Sequence, residues 1–400
     1  MLNSMILLIA WFAIFLAACS VRMQPTPAPA LRLADDLDRE SLRGAIRRSL
    51  EYLDKLPPDR IIGEQPRPLT VRQVSDTLSA FEKLLEVWDC VVCWARSVEE
   101  SFDFYPAASP ELDDVLFTGY FQPVIDASLT ESGEYRYALY GKPGDLVVAE
   151  QVTVFPSISI EKIVGRVHDD GFVPYYSRRE IDHSGFLRGK GYEIAWVKDP
   201  IDLFFLHIQG SGILRLEDNR YLHVGYAASN GRPYRSIGRL LIDNGNIPKE
   251  EMSMQRLRRY LAEHPAERDE IMAYNESYVF FRFVKDGPLG SLEFPLTDGR
   301  SIATDARLFP KGALAFIVTK KPVLDPAGQL LGWQPFSRFV LNQDTGGAIR
   351  GLRRVDLFFG TGEQAGAAAG VMNTMGKLYF LSLKTEGSGA AAVGTHANPP

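Results

Sequence analysis

Cysteine is scarce in this chain of 400 residues, which contains only Cys19, Cys90 and Cys93. A zinc site at Cys90 and Cys93 would need a second pair of ligands. The six histidines supply none, because no HxxxH or HExxH spacing occurs. A disulfide and two structural thiols both remain open for this pair, since a disulfide requires an exported protein. We therefore expect no metal ion and no cofactor.

Positive charge and long apolar runs are also lacking. The formal net charge is -6, which gives no reason to expect nucleic acid as a partner. The run MILLIAWFAIFLAAC has only about fifteen residues, whereas a spanning helix needs about 20. Its small residues before Cys19 indicate a signal peptide over residues 1–18 with lipoprotein-type cleavage. An uncleaved signal anchor and an ordinary cleaved signal are the alternatives, and all three export the protein.

A Pro-rich stretch over residues 19–34 predicts an extended tether. The sequence after it has first a helical and then a β-rich pattern. Two amphipathic stretches predict helices, and Thr70 and Gln73 have the spacing of a capping box at the start of the second. From residue 115, short β-rich runs separated by Gly, Pro and Asp predict a barrel or sandwich. The run DLFFLHIQGSGILRL is included among them. A helical interval interrupts the β texture, and residues 385–400 are expected to be disordered.

Two familiar patterns are present but are not favoured. Gly360 and Gly362 have the spacing of a dinucleotide-binding fingerprint, yet that fold needs consecutive βαβ units, which the chain lacks. A tight strand-to-helix turn is the better interpretation of these glycines. His207 and Ser211 resemble a base and a nucleophile, but in a strand they would lie about 13 Å apart. We therefore do not predict a serine hydrolase.

Three aspartates are better candidates for chemistry. Asp305 precedes a turn, so a side-chain-to-backbone turn bond explains it. Asp344 precedes Thr345-Gly346-Gly347, whose N–H groups would bind its carboxylate and lower its pKa. Asp356 stands among apolar residues in RVDLFFG, where partial burial would raise its pKa. A carboxyl that stays protonated is what glycosidic bond cleavage requires. The alternative for Asp356 is a satisfied aspartate at a strand edge.

At these aspartates the chain resembles a known family. SIATDARLFPKGALAFI, NQDTGGAIRG and RVDLFFGTGEQAG resemble a C-terminal domain named for its three aspartates. FTGYFQP, DLFFLHIQGSG, YAASNGRPYRSIG and NESYVFF resemble the rest of the membrane-bound lytic murein transglycosylase A family. The resemblance runs in order from about residue 112 to residue 382. It implies an outer-membrane lipoprotein, facing the periplasm, that cleaves the β-1,4 bond between N-acetylmuramic acid and N-acetylglucosamine and leaves 1,6-anhydromuramic ends.

The resemblance also implies a mainly β fold. A double-psi β-barrel would carry the three aspartates, and a second β-barrel domain would be inserted into it, with a groove between the two and helices at the N-terminus. The implied parts are N-terminal helices and a first strand over 35–123, the insert over 124–275, and the barrel over 276–384.

The resemblance makes Asp356 the single catalytic acid and base. The implied substrate-binding residues line the groove: Thr118, Gln209, Ser211, Asp305, Asp344 and Gly347. Basic residues could meet the acidic peptide stems of the substrate, although a solvated loop is slightly favoured for them: Arg350, Arg353 and Arg354. Aromatic residues could stack on sugars, although burial is favoured for most: Tyr120, Phe121 and Tyr226.

The expected partners are peptidoglycan glycan strands and a lipid anchor through Cys19. Cell-wall enzyme complexes are candidate partners, and we expect a monomer. Two other functions stay open: an inverting murein hydrolase that uses two carboxylates, and a non-catalytic peptidoglycan-binding lipoprotein.

Overall fold

The computed structural model describes residues 24–26, 33–65, 67–108, 114–153, 159–169 and 171–384. The predicted signal peptide, Cys19, most of the tether and the predicted disordered tail lie outside these ranges. Within them, no helix is both long and apolar enough to cross a membrane.

Helices and strands alternate in blocks along the chain. The helices are α1 (Arg39–Leu53), α2 (Val71–Leu84), α3 (Val91–Ser101), α4 (Arg178–Asp182), α5 (Pro200–Gln209), α6 (Ile237–Asp243), α7 (Met254–Glu263), α8 (Pro265–Tyr274) and α9 (Glu363–Val371). The strands are β1 (Ile61–Gly63), β2 (Leu69–Thr70), β3 (Phe102–Pro106), β4 (Val115–Gln122), β5 (Val124–Ser128), β6 (Tyr137–Tyr140), β7 (Val147–Thr153), β8 (Ser159–His168), β9 (Gly171–Pro174), β10 (Glu193–Val197), β11 (Ser211–Leu216), β12 (Tyr221–Ser229), β13 (Val279–Val284), β14 (Ser301–Ala303), β15 (Leu314–Leu324), β16 (Leu330–Asp344), β17 (Arg354–Thr361) and β18 (Asn373–Leu383).

The N-terminal helices begin where the sequence supplies caps. Thr70 accepts from the Gln73 backbone N–H at 3.3 Å, and the Gln73 side chain accepts from the Thr70 N–H at 3.0 Å. This confirms the predicted capping box. Helix α3 was not predicted; its N-cap is Cys90, which forms a disulfide with Cys93. Two alternatives were open for these cysteines, a disulfide and two thiols, and the structure has the disulfide.

A closed barrel of six strands forms the larger unit. Its order is β15, β16, β14, β17, β4 and β18, and β18 pairs back onto β15, so that the sheet closes on itself. The pairs β17–β4 and β14–β16 are parallel, and the other barrel pairs are antiparallel. Strand β4 precedes the inserted unit in the chain and β14–β18 follow it. The barrel is therefore built from the chain segments on both sides of the inserted unit.

The inserted unit is a six-stranded sheet in the order β13, β12, β11, β5, β10, β6. Its two edges meet at a single bridge between Gly141 and Phe281. Apolar residues of α5 pack against this sheet, including Leu203 and Leu206. A separate three-stranded sheet contains β7, β8 and β9, and α5–α8 share a small apolar core of their own.

The prediction of β structure for all of DLFFLHIQGSGILRL is wrong, because the first part of this run forms helix α5. The helix begins after the N-cap Asp199, with Pro200 in its first turn, and ends at Gly210 in the left-handed conformation. Five successive residues of α5 are buried, Leu203 through His207. A helix that is buried nearly all round has no clear apolar period, so periodicity could not distinguish it from a strand. With α3 and α5 added, the fold is mixed α/β rather than mainly β.

The two units meet along β4. This strand runs from the barrel through Pro123 into β5 of the inserted sheet. The Gln209 side chain, at the end of α5, accepts from the Phe121 backbone N–H at 3.0 Å. Helix α9 packs closely on the barrel at Gly119, where an added Cβ would lie 2.7 Å from the Cα of Ala369. The Gln255 side chain of α7 donates to the Ala367 carbonyl of α9 at 3.0 Å.

Candidate active site

Asp356 is the third residue of β17, which lies between β4 and β14 in the barrel. It pairs with Thr118 of β4 on one side and with Ala303 of β14 on the other. Its neighbours Val355 and Leu357 are buried in the core. Because side chains alternate along a strand, Asp356 projects to the opposite face.

Two polar partners hold the Asp356 carboxylate. The Thr118 hydroxyl donates to it, and the Arg354 Nε atom lies 3.3 Å from the same carboxylate oxygen. Arg354 comes two residues earlier on β17 and therefore projects to the same face. Its Nη1 atom is 3.4 Å from the Ala348 carbonyl oxygen. The Asp356 side chain is 16% exposed and that of Arg354 is 34% exposed, so solvent reaches both.

The immediate surroundings of Asp356 are therefore more polar than the sequence suggested. Val355 and Leu357 turn away from the carboxyl, and of the apolar neighbours only Phe358 lies on its face by alternation. The Phe358 ring packs against Tyr120 with ring centroids 5.2 Å apart.

A residue of the inserted unit faces this group. Tyr234 interacts electrostatically with both Arg354 and Asp356, and the surrounding protein atoms raise its pKa although 37% of the residue is exposed. We call the surface formed by β4 from Thr118 to Gln122, β17 from Arg354 to Phe358, and Tyr234 the domain junction. Tyr234 belongs to the motif YAASNGRPYRSIG but is not one of the predicted site residues. No rule of spacing could link it to an aspartate so distant in the chain.

Asp344 ends β16 on the other side of β14. Ala303 pairs with both Asp344 and Asp356, so their backbones lie two strand spacings apart, about 10 Å. The Asp344 carboxylate accepts from the backbone N–H of Thr345 at 2.8 Å and that of Ser291 at 2.9 Å. The Tyr120 hydroxyl is buried beside this carboxyl, close enough to affect its pKa but without ordinary hydrogen-bond geometry.

The predicted pKa of Asp344 has the wrong sign. The expected backbone donation from Thr345 is present, and it does lower the pKa. Burial outweighs it and raises the pKa of Asp344 to about 6. Gly347 itself is exposed, with open space around its Cα. The described backbone donors to the Asp344 carboxylate are the N–H groups of Thr345 and Ser291, and that of Gly347 is not among them.

Asp305 is a structural anion. Both oxygens bond to the Arg307 guanidinium, at 3.0 and 2.7 Å, and one also accepts from the Gly351 backbone N–H at 2.9 Å. These bonds lower the pKa of Asp305 to about 2, with the Arg307 contact as the main cause. A further bond to the Arg307 N–H at 3.1 Å is the predicted turn bond. Asp305 thus fixes the loop between β16 and β17.

The structure separates Gln209 from Ser211. Gln209 reaches the barrel at Phe121, as described above, whereas Ser211 is buried at the start of β11, where it pairs with Gly225. His207 lies in α5 and not in a strand, and its ring is 2.9 Å from the Arg178 guanidinium. Burial holds the pKa of His207 well below its usual range. The His207 ring thus contacts Arg178, and no bond between it and Ser211 is among those described, so the two do not form the pair that a serine hydrolase needs.

The glycines at the end of β17 are explained by the local backbone conformation. Gly360 and Gly362 have φ values of +108° and +87°, and they form the turn from β17 into α9. This agrees with the favoured interpretation of the pattern as a strand-to-helix turn.

The remaining predicted residues have mixed environments. Phe121 packs against Gly366 of α9, while Tyr226 is exposed on β12. Arg353 bonds to the Asp114 carbonyl oxygen at 3.1 Å, and Arg350 lies exposed in the loop. Across the described part of the chain, no cluster of His, Cys, Asp or Glu could hold a metal ion.

Comparisons with known proteins agree with this architecture. Residues 116–282 match the MltA specific insert domain, and residues 300–382 match the 3D domain. The barrel therefore corresponds to the 3D domain and the inserted unit to the MltA insert domain, and Asp356 lies where the two meet. These features define the class of 3D-domain proteins that carry this insert. The chain belongs to the MltA family of lytic transglycosylases, as the sequence resemblance predicted.

Two relatives and two structures show how far the similarity extends. Membrane-bound lytic murein transglycosylase A of Escherichia coli K12 is 35% identical over 271 residues, and that of Vibrio cholerae is 31% identical over 274. Each alignment spans just under two thirds of the relative, 66% of its length. The structure of a membrane-bound lytic murein transglycosylase from Agrobacterium tumefaciens has 32% identity, a TM-score of 0.70, and covers 86% of this chain and 93% of that one. E. coli MltA with bound chitohexaose has 26% identity, a TM-score of 0.66, and covers 92% and 96%.

Proposed function

We propose that this protein cleaves the β-1,4 bond between N-acetylmuramic acid and N-acetylglucosamine in peptidoglycan and leaves a 1,6-anhydromuramic end. One observation carries the proposal: a single aspartate, Asp356, is held by Thr118 and Arg354 at the domain junction. Support comes from relatives whose names describe murein transglycosylases, and from the relative that binds a chitohexaose chain.

One carboxyl is enough for this reaction. Protonated Asp356 gives its proton to the departing O4 of N-acetylglucosamine as the glycosidic bond breaks. The C6 hydroxyl of the muramoyl ring then bonds to C1, and the Asp356 carboxylate takes the proton from O6. Water is neither consumed nor released, and the residue ends as it began. Because the nucleophile belongs to the same sugar, proximity supplies part of the rate enhancement that a second carboxylate would otherwise supply.

The two partners of Asp356 have separate roles. The Thr118 hydroxyl donates a hydrogen bond to the Asp356 carboxylate, and this bond fixes the orientation of the carboxylate. Arg354 contributes positive charge at 3.3 Å, which stabilises the carboxylate that exists between the two proton transfers. Because Arg354 is partly exposed and also bonds to the Ala348 carbonyl, its guanidinium can turn towards Ala348 when a sugar oxygen approaches Asp356.

An inverting murein hydrolase is the second candidate, and one observation favours it. Asp344 has a pKa raised to about 6 and lies two strands from Asp356, close to the roughly 6.5–9.5 Å that inverting enzymes use between carboxyls. Asp305 does not qualify, since Arg307 and backbone N–H groups engage its carboxylate. The hydrolase would add water and leave reducing ends. The transglycosylase leaves products that are lighter by one water.

The test compares Asp356→Asn with wild type in mass spectrometry of digested murein. We expect anhydro-muropeptides from wild type and at most traces from Asp356→Asn. Asp76→Asn, an exposed aspartate of α2, is the matched control and should behave as wild type. Equal release by Asp356→Asn and wild type would contradict the role of Asp356. Equal binding of murein by both, with turnover by neither, would instead support a non-catalytic binding lipoprotein.

We also propose the parts of the architecture that go beyond family membership. The barrel is assigned to the double-psi type, on the support of two parallel pairs in an otherwise antiparallel barrel. Cys19 is proposed as the lipid-attachment site that holds the protein at the periplasmic face of the outer membrane. Metabolic labelling with a fatty acid should mark the wild-type chain and not Cys19→Ser. Label in both would contradict this anchor.

A further inference from the structure

A cavity lies in the inserted unit, and no residue of the domain junction lines it. It has a volume of about 760 Å³, within the range of roughly 300–1,000 Å³ that small-molecule sites occupy. Its walls come from β6, α4, β10, the first half of α5, and α8.

A fixed ion pair forms one side of this cavity. Arg178 is 2% exposed, and its guanidinium donates to the carbonyl oxygens of Asn275 and Ser277 at 3.0 and 2.7 Å. Asp182 follows one helical turn later, with its carboxylate 3.5 Å from Arg178. Unlike Arg178, Asp182 is about a third exposed, 32%, and burial among protein atoms raises its pKa. Three more acids line the cavity: Glu131 pairs with Arg188, Glu193 accepts from the Gly189 N–H, and Asp269 pairs with Arg268. Asp182 is the lining acid that lies beside the buried Arg178 guanidinium.

The polar network around Asp182 is incomplete. The Tyr278 hydroxyl is buried beside this carboxyl but has no partner in ordinary hydrogen-bond geometry. Nε2 of His207 is also buried without a partner among the residues that the structure describes. Unmade hydrogen bonds at buried polar atoms are costly. Neither residue lines the cavity itself: Tyr278 adjoins Asp182 and His207 adjoins Arg178, so the unmet hydrogen bonds lie next to the ion pair that faces the cavity.

Besides these acids, the lining contains aromatic rings and cations. Tyr137, Tyr140, Trp196 and Phe204 supply aromatic surface. Arg136 has its guanidinium 5.2 Å from the Tyr137 ring centroid, and no described carboxylate pairs with it. A ligand that fits this lining has an amino group for Asp182, a carboxylate for Arg136, and carbon atoms between them.

Helix α5 connects the cavity with the domain junction. Pro200, Leu203 and Phe204 line the cavity, while Gln209 at the other end bonds to Phe121. Nine residue steps at 1.5 Å make this distance about 14 Å. An extended peptide covers about 3.3 Å per residue, so about four residues would bridge the two sites.

We propose that this cavity binds the amino- and carboxylate-bearing end of the peptide stem of murein, while the glycan strand to which the stem is attached occupies the domain junction. The proposal rests on the proposed function for its substrate. It assigns to the inserted unit a preference for strands that carry peptides over bare glycan.

A binding measurement tests the site independently of catalysis. The probe is a synthetic stem tetrapeptide with a free side-chain amino group, titrated calorimetrically into the wild-type protein. We expect binding, and at least about tenfold weaker binding when that amino group is acetylated, because a hydrogen bond to a charged group is lost. Asp182→Asn and Arg136→Gln should weaken binding by a similar factor. Glu250→Gln, an exposed acid outside the cavity, should not.

Acetylation tests the unmodified protein, so the proposal stays falsifiable even where Asp182→Asn fails to fold. Equal affinity for the free and acetylated peptides, or no peptide binding, would overturn it. Displacement of the peptide by chitohexaose with Asp356→Asn protein would also overturn it, since this would place the peptide at the glycan site.

Turnover then separates this proposal from the proposed function. Wild type and Asp182→Asn are compared on intact murein and on glycan strands stripped of their peptides. We expect Asp182→Asn to lose about tenfold in kcat/KM on intact murein and little on bare strands. Anhydro products from bare strands without any effect of Asp182→Asn on intact murein would refute the peptide site alone. Absence of anhydro products from wild type on both would refute the proposed function.

Discussion

Thr118→Val removes a single hydroxyl from the domain junction while it keeps the shape of the side chain. Valine suits a strand as well as threonine does, so β4 should stay intact. The lost group is the hydroxyl that donates to the Asp356 carboxylate. A hydrogen bond to a charged group contributes roughly 1.5–3 kcal/mol, and each 1.4 kcal/mol or so is about tenfold in rate. We therefore expect kcat to fall roughly 10- to 100-fold.

The assay is the initial rate of anhydro-muropeptide release from purified murein, over a range of murein concentrations. In the proposed role Thr118 acts on Asp356 and not on the sugar, so KM should change little. Thr118→Ser restores the hydroxyl and should recover most of the rate, and thermal melts of both variants check that the barrel is intact. A Thr118→Val enzyme as fast as wild type would refute the reasoning, as would a Thr118→Ser enzyme as slow as Thr118→Val with an unchanged melt.

Three further perturbations test other parts of the account. Arg354→Gln removes the guanidinium beside Asp356 and should lower kcat/KM about tenfold. The control Arg353→Gln, at the neighbouring position in the sequence, should change kcat/KM less than about twofold. Similar losses in both variants would contradict a specific role for Arg354. Asp305 has a folded pKa of about 2, below the ordinary 3.8, so the stability it contributes is complete above about pH 4 and is lost as the pH falls through about 2. Asp305→Asn should therefore lower the free energy of unfolding in urea by about 1–2 kcal/mol at pH 7, after allowance for solvent screening, and by much less near pH 2; a pH-independent difference would contradict this. Arg300 and Asp35 form a buried ion pair at 2.6 Å, so Arg300→Met should cost about 3–5 kcal/mol in denaturant unfolding, and adding Asp35→Leu should recover most of it; no recovery would show that packing, and not the unpaired charge, causes the loss.

Local signals were enough to predict the helices that have caps and a clear period. Thr70 and Gln73 placed the start of α2 correctly because both halves of a capping box lie within four residues. Helix α5 was missed because burial on several sides hides the helical period. Its end signals were nevertheless present in the sequence, with Asp199 and Pro200 before it and Gly210 after it. They were outweighed by the β-like composition of the run.

The candidate site was predictable only in part, for a similar reason. The position of Asp356 followed from the family resemblance, and alternation along a strand already places Arg354 on its face. The contact with Thr118 depends on the pairing of β4 with β17, which are 238 residues apart at this point. The pKa of Asp344 depends on how much protein surrounds it. The turn after Asp344 could show the donors that lower this pKa but not the burial that raises it.

The mass of the product from purified murein tests the central claim most directly. If Asp356 acts alone and the muramoyl C6 hydroxyl attacks, every new chain end made by the wild-type protein is a 1,6-anhydromuramic end, lighter by one water than a reducing end. In heavy-oxygen water these ends take up no label from the solvent. New reducing ends that carry the heavy oxygen would contradict the account and would point to a hydrolase with Asp344 as the second carboxylate.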